Sequence, residues 1–502
     1  MRLTVAEVAK HDTRESCWMV IHGQVYDVTE FLPEHPGGTA VMLRFAGRDA
    51  TEEYDPVHPA GTIEKELPKE KHLGALEPSD PATASSSESS SPSDQAQAPV
   101  KTPSLNSVVP ALPLILSLDD FEEAARRKLT GRAWIYYSSG SESMRSYARN
   151  LADWSKVSLR PRVLRDVQQL DTSRTILGHH SNLPIFIAPC ALGRLGHPDG
   201  EFCLVKGAAR FNIPYAVSMG SSIAPEELTR CQREEEDAHG GGCLVFQLYV
   251  KKDPNEVRAT VRRARSLGFR ALMVTVDTPV VGKREEDDRF KASQGSGGAP
   301  TTTILYSQAT SSAVPARAPY SVSLNWDDLA WIVKEWGDAG PVCLKGICTF
   351  EDARQAADLG FTSLYLSNHG GRQLDGAPSG LHVLMEIRRY CPDVLQRCEI
   401  LVDGGVRRGT DVLKALALGA TAVGIGRPFM YALSTHGTDG VCRALEILTD
   451  EIQTNMRLLG VTRCEELGPR AVNTHILEQE ITTDLAENYT PNTLGGRQWA
   501  RM

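Results

Sequence analysis

Eight short apolar runs between residues 184 and 426, separated by amphipathic stretches, constrain this chain more than any other feature. They are Pro184–Ala191, Pro214–Met219, Cys243–Tyr249, Ala271–Asp277, Pro341–Gly346, Ser363–Ser367, Glu399–Asp403 and Ala422–Gly426. Their length and near-continuous apolar character suit strands buried on both faces. The intervening segments, such as Asp253–Leu267, Phe350–Leu359 and Thr410–Leu418, carry apolar residues at helical spacing. Eight strand–helix units over roughly 300 residues predict a (β/α)8 TIM barrel. A doubly wound open sheet is the competing arrangement, but no Gly-x-Gly-x-x-Gly follows the first run.

A parallel barrel places its chemistry at the C-terminal ends of its strands. Two polar segments stand there after consecutive runs: Ser367-Asn368-His369-Gly370-Gly371-Arg372, then Asp403-Gly404-Gly405-Val406-Arg407-Arg408-Gly409. The first sets a potential base three residues from a guanidinium that can grip a carboxylate. The second joins an acid, a glycine turn and guanidinium groups, which suits a phosphorylated cofactor. Asp277 can stabilise an imidazolium at His369, and Tyr136 and Tyr249 can hydrogen-bond an acid's carboxylate and hydroxyl. Lys345 can supply positive charge to an anionic group held at the strand ends. Gly404, Gly405, Arg407, Gly426 and Arg427 follow the seventh and eighth runs, where barrels commonly hold phosphate. A lone strand-end Asp or Tyr more often caps or packs. Arg408 and Lys283 are read as solvated charges, and His179, His180, His197 and His382 as structural.

Composition changes sharply at residues 79–110, where Ser, Pro, Ala and acidic residues dominate. Such a stretch buries too little apolar surface to offset its ordering entropy and is expected to be a flexible linker. It divides a module at 1–78 from one at 111–490, followed by a tail at 491–502. The aperiodic stretch from Asp287 to Ser323 is expected to form a flap or docking region on the catalytic face. A net charge of −9 over 502 residues argues against nucleic acid as a partner. Eleven cysteines without a Cys-x-x-Cys pair suggest reduced, mostly buried thiols. No apolar run is long enough to span a bilayer. A chain starting at Met1 is expected in the cytoplasm; an upstream presequence would move the expectation to the mitochondrial intermembrane space.

In the small module, His35-Pro36-Gly37-Gly38 and Pro56-Val57-His58-Pro59 lie among Phe31, Leu32, Val41, Leu43, Phe45 and Tyr54. With Trp18 to Asp27, Val28 to Leu32 and Ala46-Gly47-Arg48-Asp49-Ala50-Thr51, the module resembles the cytochrome b5 haem-binding domain, a small α+β fold. The resemblance implies that His35 and His58 are the axial ligands of haem b, and two filled axial positions imply electron transfer. The module carries 14 acidic against 8 basic residues, which suits docking to a basic partner.

The large module contains Trp134-Ile135-Tyr136-Tyr137-Ser138-Ser139-Gly140, Gln247-Leu248-Tyr249, Thr275-Val276-Asp277 and Leu344-Lys345-Gly346, besides the two polar segments. It resembles the FMN-dependent 2-hydroxy acid dehydrogenase and oxidase family. The resemblance implies His369 as the active-site base with Asp277 as its partner, and Arg372, helped by Arg284, on the substrate carboxylate. Tyr136 and Tyr249 would contact substrate. FMN would be held by Ala188, Ser218, Gln247, Thr275, Lys345, Ser367, Asp403, Gly404, Gly405, Arg407, Gly426 and Arg427. Two positions depart from the family: Cys190 stands where relatives usually carry Thr, and Gly220 where lactate- and glycolate-acting relatives carry a large side chain. The smaller residue predicts acceptance of acids larger than lactate. The pair of modules implies oxidation of an L-2-hydroxy acid, electrons passing from FMN to haem b and then to a cytochrome c-type acceptor; an oxidase passing electrons to O2 is the alternative. The resemblance also implies a homotetramer.

Overall fold

The computed structural model describes residues 2–35, 38–59, 61–77, 109–293 and 318–481. Nearly all of the expected linker, the central part of the expected flap (294–317) and the expected tail lie outside the described residues, as do Pro36 and Gly37. The chain divides into two compact units, one built on residues 2–77 and the other on 110–292 and 318–481.

The first unit holds a four-stranded sheet in the order Arg2–Leu3, His72–Leu76, Gln24–Asp27, Trp18–Ile21. The period-two geometry of a strand splits Trp18–Ile21 between two faces. Met19 and Ile21 join Tyr26, Val28, Leu32 and Met42 in the larger core. Val20 packs with Val8 and Val25 on the other side. His22 and Gly23, at φ +51° and +71°, make the tight turn that returns the chain into Gln24–Asp27.

The second unit is the expected closed barrel of eight parallel strands. In chain order these are Ile185–Ile187, Pro214–Val217, Cys243–Tyr249, Ala271–Thr275, Val342–Ile347, Ser363–Leu366, Glu399–Val402 and Ala422–Ile425. Every run yields a strand, yet the first is much shorter than Pro184–Ala191. Its ladder ends as Ala188 donates to the Ile425 carbonyl, because Pro189 has no N–H and Leu192 takes φ +61°. Strand side chains are buried almost throughout, at ~1.5–3 kcal/mol for each large apolar residue. An antiparallel hairpin, Arg174–Ile176 with His179–Ser181, precedes the barrel. Its Ile176 and Leu177 join the barrel core beside Phe186, Met273, Tyr365 and Leu401. The Leu177 N–H donates to Glu399, the first residue of the seventh strand, so the hairpin sits at the barrel's N-terminal end.

Outer helices start and stop where sequence signals place them. Pro254–Leu267 is capped by the Asp253 carboxylate and ends at Gly268, φ +89°. Phe350–Asp358 is capped by Thr349. The last long helix, Arg427–Leu459, breaks at His436 and Gly437.

Candidate active site and paired histidines

An open cleft lies at the C-terminal ends of the strands. Tyr136, Ala188, Cys190, Ser218, Tyr249, Arg284, Lys345, His369, Arg372, Asp403, Gly404, Gly405, Arg407, Gly426 and Arg427 all line it. Of the other expected residues, Asp277, Gln247, Thr275 and Ser367 stand immediately behind the lining, and Gly220 borders it through Ala191.

His369 leaves the sixth strand with φ +60°, followed by Gly370 and Gly371 at +64° and +75°. Three successive left-handed residues curl the chain back sharply, and Gly371 permits this because a Cβ there would fall 2.6 Å from the Tyr147 backbone nitrogen. The Ser367 hydroxyl accepts from the His369 N–H at 3.1 Å. The imidazole then lies between two partners. Its Nδ1 faces both Asp277 oxygens at 3.1 Å, and Nε2 is 3.2 Å from the Tyr249 hydroxyl. A carboxylate at Nδ1 selects the tautomer whose Nε2 carries the lone pair.

Burial, then the Lys345 charge, lowers the His369 pKa, with Asp277 opposing. Burial alone would raise the Asp277 carboxyl, but His369, Lys345 and Thr278 together bring it down to about 2. Asp277 therefore stays ionised while His369 is held neutral over a wide pH range. Burial, then the like charge of Arg284, works against the Arg372 cation, a field that an anionic carboxylate would reverse. Arg372 also donates to the Tyr136 and Ser139 carbonyls at 2.8 and 2.9 Å, and its guanidinium stands over the Tyr136 ring.

Across the second to fourth strands runs a polar row. Gln247 Oε1 accepts from the Met219 N–H at 3.1 Å and faces Ser218 at 3.3 Å, while Nε2 donates to Thr275 at 2.8 Å. Lys345 is 3% exposed, and its Nζ has no hydrogen-bond partner among the described residues. The same holds for Asp403 Oδ1, whose Oδ2 accepts from Tyr365 at 2.8 Å, and for Arg284 Nε. Buried groups left so are poised for a polar ligand. A Cβ on Gly405 would fall 1.9 Å from the Asn150 carbonyl, so the turn is built around close backbone approach. Arg407 is paired with Asp119 and Glu122, and Arg427 donates to the Tyr137, Gly370 and Ser139 carbonyls. Both therefore reach the cleft already anchored.

Sequence reasoning missed several supports. Gln373 Nε2 donates to the Asp277 and Val280 carbonyls at 2.7 and 2.9 Å, fixing the backbone beneath His369's partner. Its position next to Arg372 was the available signal. Asn150 and Asn368 exchange amide hydrogen bonds at 2.8 and 2.9 Å, joining the helix Arg145–Ala152 to the His369 turn. Tyr137 and Tyr147 line the cleft as well.

In the first unit the imidazoles of His35 and His58 face one another with ring centroids 5.9 Å apart. His58 Nδ1 meets the Tyr54 carbonyl at 3.1 Å and His35 Nδ1 the Gly38 carbonyl at 3.4 Å. Hydrogen-bonded Nδ1 atoms leave Nε2 as the ligating nitrogen of each ring. Burial lowers the His35 pKa and favours its neutral form. Tyr54 stacks on His58 at 4.3 Å, nearly parallel. His35 and His58 would hold a haem iron between them through these two nitrogens, leaving it suited to electron transfer.

These features define a flavin-dependent barrel enzyme joined to a haem module, and comparison with known proteins agrees. Residues 125–474 match the FMN-dependent dehydrogenase family and residues 4–77 the cytochrome b5-like haem/steroid binding domain. The chain belongs to the FMN-dependent dehydrogenase family and carries an N-terminal cytochrome b5-like domain; its cofactors are FMN and haem b. It is 39% identical over 476 residues to the L-lactate dehydrogenase (cytochrome) of Saccharomyces cerevisiae, covering 93% of this chain and 79% of that one. The glycolate oxidase of Spinacia oleracea is 36% identical and matches 70% of this chain and 94% of its own length. Among solved structures, the flavin-binding domain of baker's yeast flavocytochrome b2 superposes with a TM-score of 0.66 at 36% identity, covering 78% of this chain and 96% of that one. A mandelate oxidase solved with (S)-mandelic acid gives 0.60 at 37% identity, over 71% and 98%.

Proposed function

We propose that the chain oxidises an L-2-hydroxy acid to the 2-oxo acid and delivers the electrons, by way of haem b, to a cytochrome c-type acceptor. The observation that carries this reading is His369 held between Asp277 and the Tyr249 hydroxyl, beside Arg372 and Arg284 in one cleft. Arg372 and Arg284 would hold the substrate carboxylate, with the Tyr136 and Tyr249 side chains beside it. His369 Nε2 then takes the substrate's proton, and Asp277 stabilises the imidazolium through Nδ1. Lys345, buried on the fifth strand where it lines the cleft, would balance negative charge on a reduced flavin held there. FMN supplies the two-electron oxidation and haem b the one-electron relay. The match to the dehydrogenase (cytochrome) runs over 93% of this chain and that to the glycolate oxidase over 70%, which supports a cytochrome-linked acceptor. A homotetramer remains part of this reading, implied by the family resemblance alone.

Anaerobic addition of L-lactate or L-mandelate to the full-length holoenzyme tests the reading. Flavin bleaching followed by growth of the reduced haem bands is expected. Peroxide formation in air with an oxidised haem would favour the oxidase alternative, and no bleaching with either acid would sink the reading.

Gly220 bears on which acid is used. A Cβ built there meets the Ala191 Cβ at 3.1 Å, so any side chain at 220 enters the space beside the cleft-lining Ala191. Gly220→Leu is expected to lower kcat/KM for L-mandelate by about 10-fold or more while changing L-lactate much less. An unchanged ratio of the two constants would refute the assignment.

The pH profile follows from the His369 shift. The base must be neutral, and protonation dominates only below its pKa. Because burial and the Lys345 charge hold that pKa below the ordinary 6.5, the acid limb of kcat/KM is expected to be centred below pH 6.5. An acid limb centred at or above pH 7 would contradict the buried environment described.

A further inference from the structure

Ala191 and Gly220 belong to separate loops, after the first and second barrel strands, and something must hold the two so close that a Cβ on Gly220 would meet the Ala191 Cβ at 3.1 Å. Glu201, fully buried just before the helix Phe202–Arg210, reaches both loops. Its Oε1 accepts from the Gly193 N–H at 2.8 Å and the Ser222 N–H at 2.9 Å, and Oε2 accepts from the Ser222 hydroxyl at 2.6 Å. Around this carboxylate the loops are laced directly. Leu192 N–H donates to the Gly220 carbonyl at 3.2 Å and Arg194 N–H to the Ser222 hydroxyl at 3.0 Å. Tyr137 fastens the first loop from the side by donating to the Leu192 carbonyl at 2.6 Å. The fit leaves no slack, since a Cβ on Gly193 would lie 2.9 Å from the Glu201 carboxyl carbon.

We propose that Glu201 is a positioning residue that sets the gap between residues 191 and 220, and so the size of the substrate side chain admitted. The proposal rests on the functional reading above. Glu201 does not line the cleft; it acts through the two loops it joins. A carboxylate suits the task because it accepts all three bonds from N–H and O–H donors without offering a donor of its own. An amide that kept its oxygen on the two backbone N–H groups would turn its NH2 toward the Ser222 hydroxyl, which would have to accept where it now donates and would leave its own buried proton without this acceptor. The loops would then part by whatever distance relieves the conflict, and the wall made by Ala191 and Gly220 would move with them. Ser222 is the lesser half of the clamp, holding the second loop through two bonds to the same carboxylate.

The test compares Glu201→Gln and Ser222→Ala with the unaltered full-length holoenzyme. Two quantities are read: the ratio of kcat/KM for L-mandelate to that for L-lactate, and the ratio of Kd for benzoylformate to that for pyruvate, from flavin spectral perturbation. Both ratios are expected to move by about threefold or more, through KM and Kd, with kcat for lactate little changed. Flavin and haem spectra at wild-type intensity establish that each variant is folded and loaded. Where Glu201→Gln fails to accumulate as holoenzyme, Ser222→Ala decides. Unchanged ratios, or an equal loss for both acids, overturn the clamp. A wild-type protein that binds neither 2-oxo acid overturns the functional reading instead.

Discussion

His369→Asn is expected to lower kcat by about 10³-fold, within the range general-base removal produces, while KM changes little. Asparagine is the informative replacement because His369 sits at φ +60°, a conformation that Asn tolerates better than most residues. The turn carrying Arg372 should therefore survive, with the carboxylate grip intact. Asp277 would keep Lys345 as a counter-charge, so FMN content should match that of the unaltered protein. The loss would fall on the proton alone, because neither Tyr249 nor the amide has a basic nitrogen to take the place of Nε2. Steady-state kinetics with spectroscopic FMN quantitation checks this. A loss confined to KM would assign His369 to binding.

His58→Ala is expected to abolish the bis-histidine haem spectrum and reduce cytochrome c turnover by about 100-fold or more, while substrate still bleaches the flavin. The imidazole is held twice over, by the Tyr54 carbonyl at Nδ1 and by the Tyr54 ring stacked on it. Alanine removes one of the two ligands and leaves His35 to hold the group alone. The large effect on the acceptor follows from the covalent tether, because a relay on the same chain works at high effective concentration that a diffusing carrier does not match. Anaerobic spectra and cytochrome c reduction on one preparation separate the two halves. Undiminished cytochrome c turnover in haem-free protein would mean that the flavin reaches the acceptor unaided.

Much of the barrel was legible because its signals are local. Each apolar run became a strand, and the two polar segments stand at the ends of the sixth and seventh. The base, the carboxylate grip and the glycine turn were readable for the same reason, since each is a short motif whose chemistry is carried by neighbours in sequence. What escaped was long-range. Glu201 reads as an ordinary acid before a helix, and only folding brings Gly193 and Ser222 onto it. The partners of Arg407 were equally hidden, since Asp119 and Glu122, nearly 300 residues earlier in the chain, reach it from the helix Leu118–Lys128. The hairpin at the barrel's N-terminal end has strands of three residues each, too short to show a period. The first strand was overextended because apolar content does not reveal that a proline has ended the ladder.

Directly after Lys345 stands Gly346 at φ +108°, where a single added methyl would lie 2.6 Å from the Asp277 Cβ. The fifth-strand backbone thus passes flush against the acid that orients the base. The heritable information for this site therefore includes an omission. Any side chain at 346 would have to push Asp277 away from the base it orients, so the missing atoms at this position shape the site as surely as the charged groups beside it.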